Sequence, residues 1–472
     1  MSPNAFAYLA LLVWPVASFA MFRFMGPRHG LLACIIGGYL LLPPLPTSFE
    51  LPALPSLNKH TIPAFSALVI CLALFLPVKD LLPRGPMARV LLGACFLSSL
   101  VTLVLNMDPL LWGSFWVTGM RIPEVVPNTL ALLAELLPFL LGRALLKGEA
   151  GLREFLWAIA IATFAYSFPM LVEVRLSPQI NTWVYGFFQH DFGQMMRGSG
   201  FRPIVFLYHG LWVAFLTATA ILAAATIVRS GSRKAVFALF LVVWLLAVLV
   251  LCKSMASLIY ALLGLPVILL FSPRMQINLA AIIAVLLLFY PALRYSGVIP
   301  TDYMVQTAER VSADRAQSLE FRFDNEDSLL ARAMERPLFG WGGWGRNQIR
   351  EADSGRITSV TDGLWVILIG VNGIVGYIAK MGLLCLPILL TWRRRKQSVP
   401  PLAAGGMLIL AINLVDMIPN ATLTPLTWLA AGALLSWAEQ PSASQGMAPV
   451  PARPLLPVVL GGAPRGGIRT VL

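Results

Sequence analysis

Apolar stretches of about 18–20 residues recur along the whole chain and are separated by short polar segments. Each is long enough to cross a hydrocarbon core as an α-helix, which satisfies its own backbone hydrogen bonds in lipid. A transmembrane β-barrel would show short segments of alternating polarity instead. The pattern therefore predicts an all-α fold, a polytopic bundle of about 12–13 transmembrane helices. The predicted spans are 4–22, 31–47, 61–78, 89–106, 125–142, 154–172, 203–228, 235–252, 255–272, 276–293, 360–391, 401–417 and 424–438.

One polar segment interrupts this pattern and divides the chain. Residues 1–293 hold the N-terminal spans, 294–359 form a large and partly helical loop, and 360–438 hold the C-terminal spans. The stretch 360–391 is long enough to be broken. The tail 439–472 is rich in Pro, Gly, Ala and Ser, and we expect it to be disordered.

Composition excludes several classes of protein. The chain is 58% hydrophobic and 12% charged, which excludes an ordinary cytosolic enzyme, a disordered chain, a nucleic-acid binder and a disulfide scaffold. The five cysteines are scattered without a CxxC motif, so we interpret them as core residues rather than metal ligands or disulfides. The first apolar run lacks a basic segment before it, which favours a retained span over a cleaved signal peptide.

The positions of the cations behind the net charge of +13 indicate how the chain is oriented in the membrane. With the N-terminus outside, the short inside loops hold 16 Lys and Arg and the short outside loops hold 6. The excess of cations on the cytoplasmic side therefore predicts a multi-pass protein whose C-terminus is cytoplasmic.

The segment 294–359 lies outside in this topology, where long loops are exempt from the charge rule. It contains nine arginines and no lysine against ten carboxylates, which indicates a folded extracytoplasmic element. A helix is expected over 325–336, capped by Asp324 or Asn325 and ended by Pro337. Arg332 and Arg336 share one face of it, where they either bind an anion or pair with carboxylates such as Glu335.

A loop rich in glycine and tryptophan follows this helix and runs from Pro337 to Arg346 as Pro-Leu-Phe-Gly-Trp-Gly-Gly-Trp-Gly-Arg. Its glycines let backbone amides approach a ligand closely. Trp341 and Trp344 are suited to stack on a sugar face or to lie at the membrane interface. No Gly-Lys-Ser/Thr follows, so it is not a nucleotide-binding P-loop.

The order of these motifs resembles the O-antigen ligase and polymerase family. Arg322, a helix and then Pro-Leu-Phe-Gly-Trp-Gly look like the arginine, helix and "Pro-Leu-Phe-Gly-x-Gly" loop of that family. Leu251-Cys252-Lys253-Ser254-Met255-Ala256 resembles its "Ser-Arg-Gly-Ala" stretch, with Lys253 in place of the arginine. Gly200-Phe201 before Tyr208-His209-Gly210 is similar to its "Gly-Phe…Asn" segment. Thr361-Asp362-Gly363-Leu364-Trp365 before Gly370, Gly373 and Gly376 looks like its "His-Asn…Glu-x-Gly-x-x-Gly" stretch, with Asp362 near the ligase histidine.

The resemblance implies a metal-independent glycosyltransferase of the GT-C type in the bacterial inner membrane. Such enzymes transfer glycan from an undecaprenyl-diphosphate carrier onto an acceptor hydroxyl of a glycan or lipid at the periplasmic face. The expected partners are this donor, the acceptor and the lipid bilayer, with no nucleic acid and no cofactor. Proteins that export polysaccharide or set its chain length are further expected partners.

Fixed cations suit this chemistry because negative charge grows on the leaving diphosphate, and guanidinium binds phosphate through two hydrogen bonds. Arg322 and Lys253 are the catalytic candidates, with Arg197 and Arg202 in support. The alternative for Arg322 is an ion pair with a neighbouring carboxylate, Asp324 or Glu326. The alternative for Lys253 is that it snorkels, with its stem along apolar surface and its charge in water. Asp362 is the candidate to orient or deprotonate the acceptor, or else a helix cap. The substrate-binding candidates also include His209, Arg332, Arg336, Trp341, Trp344 and Arg346.

A transporter or flippase of lipid-linked oligosaccharide is the main alternative, and a structural membrane protein is a third. Glu135, Lys380, Asn413 and Asp416 lie within predicted spans, where charge is costly and must face the bundle interior. A proton relay through Glu135 and Asp416 would indicate transport. The chain shows no internal repeat of the kind that many transporters have.

Overall fold

The computed structural model describes residues 2–197, 200–310, 312–343 and 345–440. This part of the chain is mostly helical, with two very short β-hairpins. The helices are α1 Ala5–Leu41, α2 Thr61–Leu74, α3 Pro86–Val104, α4 Val125–Leu145, α5 Gly148–Leu176, α6 Ile180–Tyr185, α7 Gly210–Arg229, α8 Ala235–Leu251, α9 Met255–Leu270, α10 Pro273–Tyr295, α11 Thr301–Glu309, α12 Ala313–Met334, α13 Leu364–Arg393, α14 Pro401–Asp416 and α15 Pro425–Ala438. The strands are β1 Leu110–Trp112, β2 Phe115–Val117, β3 Met196–Arg197 and β4 Gly200–Phe201.

Seven helical segments of the described chain are long and apolar enough to cross a membrane. They are α1, α3, α5, α7, α10, α13 and the segment 122–145 that includes α4. Five shorter apolar helices, α2, α8, α9, α14 and α15, lie among them. The expected all-α polytopic bundle is confirmed at this level. α7 is the most enclosed of the seven, because almost every side chain from Val213 to Ile227 is buried.

α1 is two antiparallel helices joined by a sharp reversal at Gly26. This residue has φ 76° and ψ 173°, a conformation that a side chain would strongly disfavour. Across the reversal, the Ser18 hydroxyl lies 3.2 Å from the Cys34 sulfur, and Phe22 packs closely on Gly30. The predicted spans 4–22 and 31–47 correspond to these two arms.

α13 is also broken by a glycine, as its length suggested. Gly373 has φ 69° and ψ −174°, and the loop that follows α12 occupies the break. The backbone N–H groups of Ile374 and Val375 donate to the carbonyl oxygens of Pro337 and Leu338 at 2.8 and 3.2 Å. In the other direction, Trp341 N–H donates to Gly370 O at 2.8 Å. The loop thus supplies partners that a continuous helix would have supplied itself.

Two local predictions were wrong. The helix in the polar segment begins at Ala313 and not near Asn325, because Asn325 bonds within the helix, its amide donating to Phe321 O at 2.7 Å. α7 begins at Gly210 and not near 203. The Glu173 carboxylate holds the preceding chain by accepting 2.8 Å hydrogen bonds from Ile204 and Val205 N–H. The two hairpins were not expected.

The prediction that the five cysteines are core residues is confirmed, since all five are buried. The predicted tail falls almost entirely on 441–472, outside the described residues. We call the end of the bundle where α10 finishes, α13 begins and α12 packs the loop end.

Candidate functional site

Arg322 and Asp362 meet at the loop end, on the wall of a cavity of about 350 Å³. The Arg322 Nε and Asp362 Oδ2 atoms are 3.6 Å apart, and the two side chains are 42% and 41% exposed. An ion pair this accessible adds little stability. Both groups are therefore open to a ligand that enters the cavity.

Asn325 fixes the position of Asp362 next to Arg322. Its Oδ1 accepts a 2.8 Å hydrogen bond from the backbone N–H of Val360, which fastens the segment before α13 to α12. The start of α13 is fixed on its other side, where Leu364 N–H donates to Met417 O at 3.0 Å. Asp362 lies between these two anchors, so its position relative to α12 is defined by backbone contacts.

Glu326 is a second carboxylate in the same cavity and is mostly buried. Its Oε1 accepts from the Trp365 indole N–H at 3.4 Å. Its Oε2 lies 3.8 Å from the Arg294 Nε, and neither of those two atoms makes a hydrogen bond within the described chain. Arg294 pairs more closely with Asp327, at 2.9 Å. A carboxylate oxygen without a donor in a buried site is available to a ligand hydroxyl.

Burial raises the pKa of Glu326 from its ordinary value of 4.5 to about 7, although Trp365 and Arg294 oppose this shift. A carboxylate that exchanges its proton near neutral pH is suited to general acid or base catalysis. From the sequence Glu326 is expected only as a partner of Arg322. The sequence feature that could have indicated a site role for Glu326 is its spacing of four residues from Arg322, which puts both residues on one helix face.

Lys253, Arg197 and Arg202 form a second group around the β3–β4 hairpin and the turn between α8 and α9. Lys253 Nζ donates to Arg197 O at 2.8 Å, and Arg202 Nη2 donates to Lys253 O at 3.0 Å. Lys253 has φ 53°, which is unusual for a residue with a side chain. Arg202 is buried and its Nε makes no hydrogen bond within the described chain.

His209 belongs to this region and caps α7. Its Nδ1 accepts from the backbone N–H of Leu211 at 2.9 Å, so the prediction that it lies within a span was wrong. Burial lowers the pKa of His209 to about 4, helped by His190 and the cations Arg202 and Arg197. The ring is therefore neutral at pH 7, as a hydrogen-bond acceptor at Nδ1 must be.

Arg332, Arg336 and Trp341 form a third group at the end of α12. The guanidinium carbons of the two arginines lie 3.4 and 4.3 Å from the Trp341 ring centroid, which is cation–π distance. Arg332 also pairs with Glu335 at 2.6 Å. Arg336 donates to Asn106 Oδ1 at 2.6 Å. The sequence is compatible with anion binding or carboxylate pairing for the two arginines, and Arg332 has a carboxylate pair.

Arg346 holds this loop together from inside. It is 2% exposed, and its three nitrogens donate to the carbonyl oxygens of Trp341, Thr118 and Asp108 at 2.8–3.0 Å. Its contacts tie the loop to the β1–β2 hairpin region. Substrate binding by Arg346 and Trp341 stays a prediction, whereas their visible contacts position the loop. Trp344 lies outside the described residues.

The predicted site residues that the structure describes thus occupy three separate groups. No hydrogen bond or ion pair among the described residues joins Arg322 and Asp362 to the Lys253 group or to the Trp341 group. Within the described ranges, no three His, Cys, Asp or Glu side chains are arranged to hold a metal ion. No protein-family model matches this chain, and no curated protein matches it.

Proposed function

We propose that the chain is a glycosyltransferase that transfers or polymerises glycan from an undecaprenyl-diphosphate carrier onto an acceptor hydroxyl. The reaction would take place at the periplasmic face of the bacterial inner membrane, with the N-terminus outside and the C-terminus cytoplasmic. The main support is the accessible pair of Arg322 and Asp362 beside Glu326 in one cavity. It combines a phosphate-binding cation with two carboxylates at a membrane-protein surface.

In this proposal Arg322 binds the diphosphate of the donor. The bond between the anomeric carbon and the diphosphate oxygen breaks, and negative charge grows on the leaving group. A fixed guanidinium stabilises that charge more in the transition state than in the bound donor. Donor binding would also separate Arg322 from Asp362, because the phosphate competes for the same guanidinium.

Asp362 then accepts the proton of the attacking hydroxyl, and the acceptor oxygen forms the new bond to the anomeric carbon. Glu326 is a second candidate for the same proton, since its pKa of about 7 matches the task. Lys253, Arg197 and Arg202 offer cations for another part of the donor. Their backbone hydrogen bonds hold the turn and the hairpin in fixed relation.

The decisive experiment uses the purified full chain in proteoliposomes with an undecaprenyl-diphosphate-linked glycan and an acceptor glycan. We expect release of carrier diphosphate and a longer or newly attached glycan. Arg322→Ala should lower the rate by about 100-fold or more. The matched control is Arg356→Ala, because Arg356 is exposed and pairs only loosely with Glu351, at 3.8 Å. Equal loss in both variants, or an active Arg322→Ala, would overturn the assignment.

Transport of the lipid-linked oligosaccharide is a second candidate function. The break in α13 and the Glu135–Lys380 ion pair favour it, because transporters place discontinuous helices and ionisable residues at their substrate sites. The same proteoliposomes separate the two functions. Movement of the carrier across the bilayer without cleavage of the glycosidic bond would support transport.

A further inference from the structure

A second cavity, of about 210 Å³, lies between α3, α4 and α13, beneath the loop that occupies the α13 break. We call it the α3–α4–α13 cavity. It is distinct from the Arg322 cavity and shares no lining residue with it. Its volume is many times the roughly 10–30 Å³ that one buried water needs. The cavity is thus large enough for a small organic ligand.

Polar side chains without partners line this cavity. Ser99, Asn128 and Asn372 are half-buried there, and their side chains make no hydrogen bond to the rest of the described chain. Polar groups in such positions are normally satisfied by protein, water or ligand. A hydroxyl and two amides together offer donors and acceptors. They therefore suit a ligand that has several hydroxyl groups.

An ion pair forms part of the same wall. Lys380 Nζ and Glu135 Oε2 are 2.8 Å apart, and the two side chains are 15% and 32% exposed. Because the two charges cancel, the wall has no net preference for an anion or a cation. The ammonium has further donors and the carboxylate has further acceptor positions. The pair can therefore both donate hydrogen bonds to ligand hydroxyl groups and accept hydrogen bonds from them.

The loop forms part of the cavity wall, because Gly342 and Gly343 line it. Thr102 on α3 holds the loop by donating to Phe339 O at 2.6 Å, and Asn106, just after α3, donates to Gly340 O at 3.0 Å. The same loop follows α12 directly. From Arg322 to the end of α12 at Met334 the helix rises by about 18 Å. The cavity is accordingly well separated from Arg322.

We infer that the α3–α4–α13 cavity binds a single neutral sugar ring. The lining gives hydroxyl-binding groups without net charge, and the volume suits one ring rather than a glycan segment. This inference deepens the proposed function, on which its physiological meaning rests. The cavity would hold a sugar of the glycan substrate at a distance from the bond that is made or broken.

Saturation-transfer difference NMR tests the inference on the full chain in nanodiscs. The probes are neutral hexoses and N-acetylhexosamines, with glucuronic acid and glucose 6-phosphate as charged comparisons. We expect signals from at least one neutral sugar and at least a five-fold weaker signal from its charged counterpart. Ser99→Leu, which fills the cavity, and Asn128→Leu, which removes an amide, should each abolish the signals.

Gly93→Leu is the matched control on the same helix. Gly93 is exposed and a Cβ atom there would meet no atom within 4 Å, so this variant should bind as the parent does. The inference is overturned if no neutral sugar binds, if charged sugars bind better, or if the cavity variants bind normally. It is also overturned if proteoliposomes that contain the full chain show a proton or cation flux that Lys380→Met removes, because the cavity would then be an ion path.

The NMR result is independent of the transfer assay. Sugar binding without glycan transfer would support this site and contradict the proposed enzyme. Transfer without sugar binding in the cavity would support the proposed enzyme and contradict this site.

Discussion

The Arg322 guanidinium and the Asp362 carboxylate form an ion pair, with 3.6 Å between Nε and Oδ2, on the wall of an open cavity. Asp362 lies in the segment that leads into α13, whereas Arg322 lies on α12. Asn325 joins the two through its hydrogen bond to Val360 N–H. In the proposed reaction a donor phosphate would replace Asp362 at Arg322, which would free the carboxylate for an acceptor hydroxyl.

Asp362→Asn should lower the turnover number of the proposed transfer by about 100- to 10,000-fold, because the amide cannot accept the hydroxyl proton. The KM for the donor should change much less. Initial rates of carrier diphosphate release give both constants. Asp353→Asn is the control, since Asp353 lies in the exposed turn between Glu351 and Arg356. Unchanged turnover in Asp362→Asn would exclude the proposed role of Asp362.

Glu326→Gln should change the pH dependence of stability. The folded state holds the Glu326 proton up to a pKa of about 7, whereas the unfolded chain releases it near 4.5. The folded state thus binds more protons in this window, and stability falls as pH rises from 4.5 to 7. The difference is at most about 3 kcal/mol.

Gln cannot ionise, so the variant should lack this loss and be relatively more stable at pH 8. Thermal unfolding in detergent at pH 5 and pH 8 measures the effect. Equal pH dependence in parent and variant would show that Glu326 is not held protonated.

His209 variants separate its helix-capping contact from substrate binding. His209→Ala removes the acceptor for Leu211 N–H and should lower the free energy of unfolding by about 0.5–2 kcal/mol. His209→Asn keeps an acceptor at the cap and should be nearly as stable as the parent. Unfolding and transfer are measured on both. If His209→Asn is stable but inactive, the ring contacts substrate; if it is stable and active, the residue is a cap only.

Gly373→Ala should destabilise the protein strongly. The backbone at Gly373 has φ 69°, and a Cβ atom would lie 2.3 Å from the Leu338 carbonyl carbon. The strained backbone alone costs about 1–3 kcal/mol, and displacement of the loop adds to it. We expect a lower unfolding temperature and faster proteolysis of the 337–343 loop. Gly93→Ala, in open space, should behave as the parent. A Gly373→Ala protein of normal stability would contradict the described break.

Part of the site could be predicted residue by residue. The sequence indicates Arg322 and Asp362 separately, through a motif resemblance and the chemistry that each group can perform. It also indicates Lys253, Arg197 and Arg202, which do lie together. Glu326 was missed as a site residue, because its raised pKa depends on burial against α10 and α13 that no local pattern encodes. The sequence also could not show that the nitrogens of Arg346, a predicted ligand-binding cation, bond three backbone carbonyls.

The sequence by itself determined the helical class and most of the apolar helices. Long apolar runs leave the backbone no partners in lipid except its own, so helix formation follows from local composition. Polar contacts between distant segments were decided only by the tertiary structure. The Pro337 loop fills the break at Gly373, Asn325 fastens Asp362 beside Arg322, and Lys380 meets Glu135. Such contacts depend on how helices pack, and packing is set by shape and hydrogen bonding across the bundle rather than by periodicity along one segment.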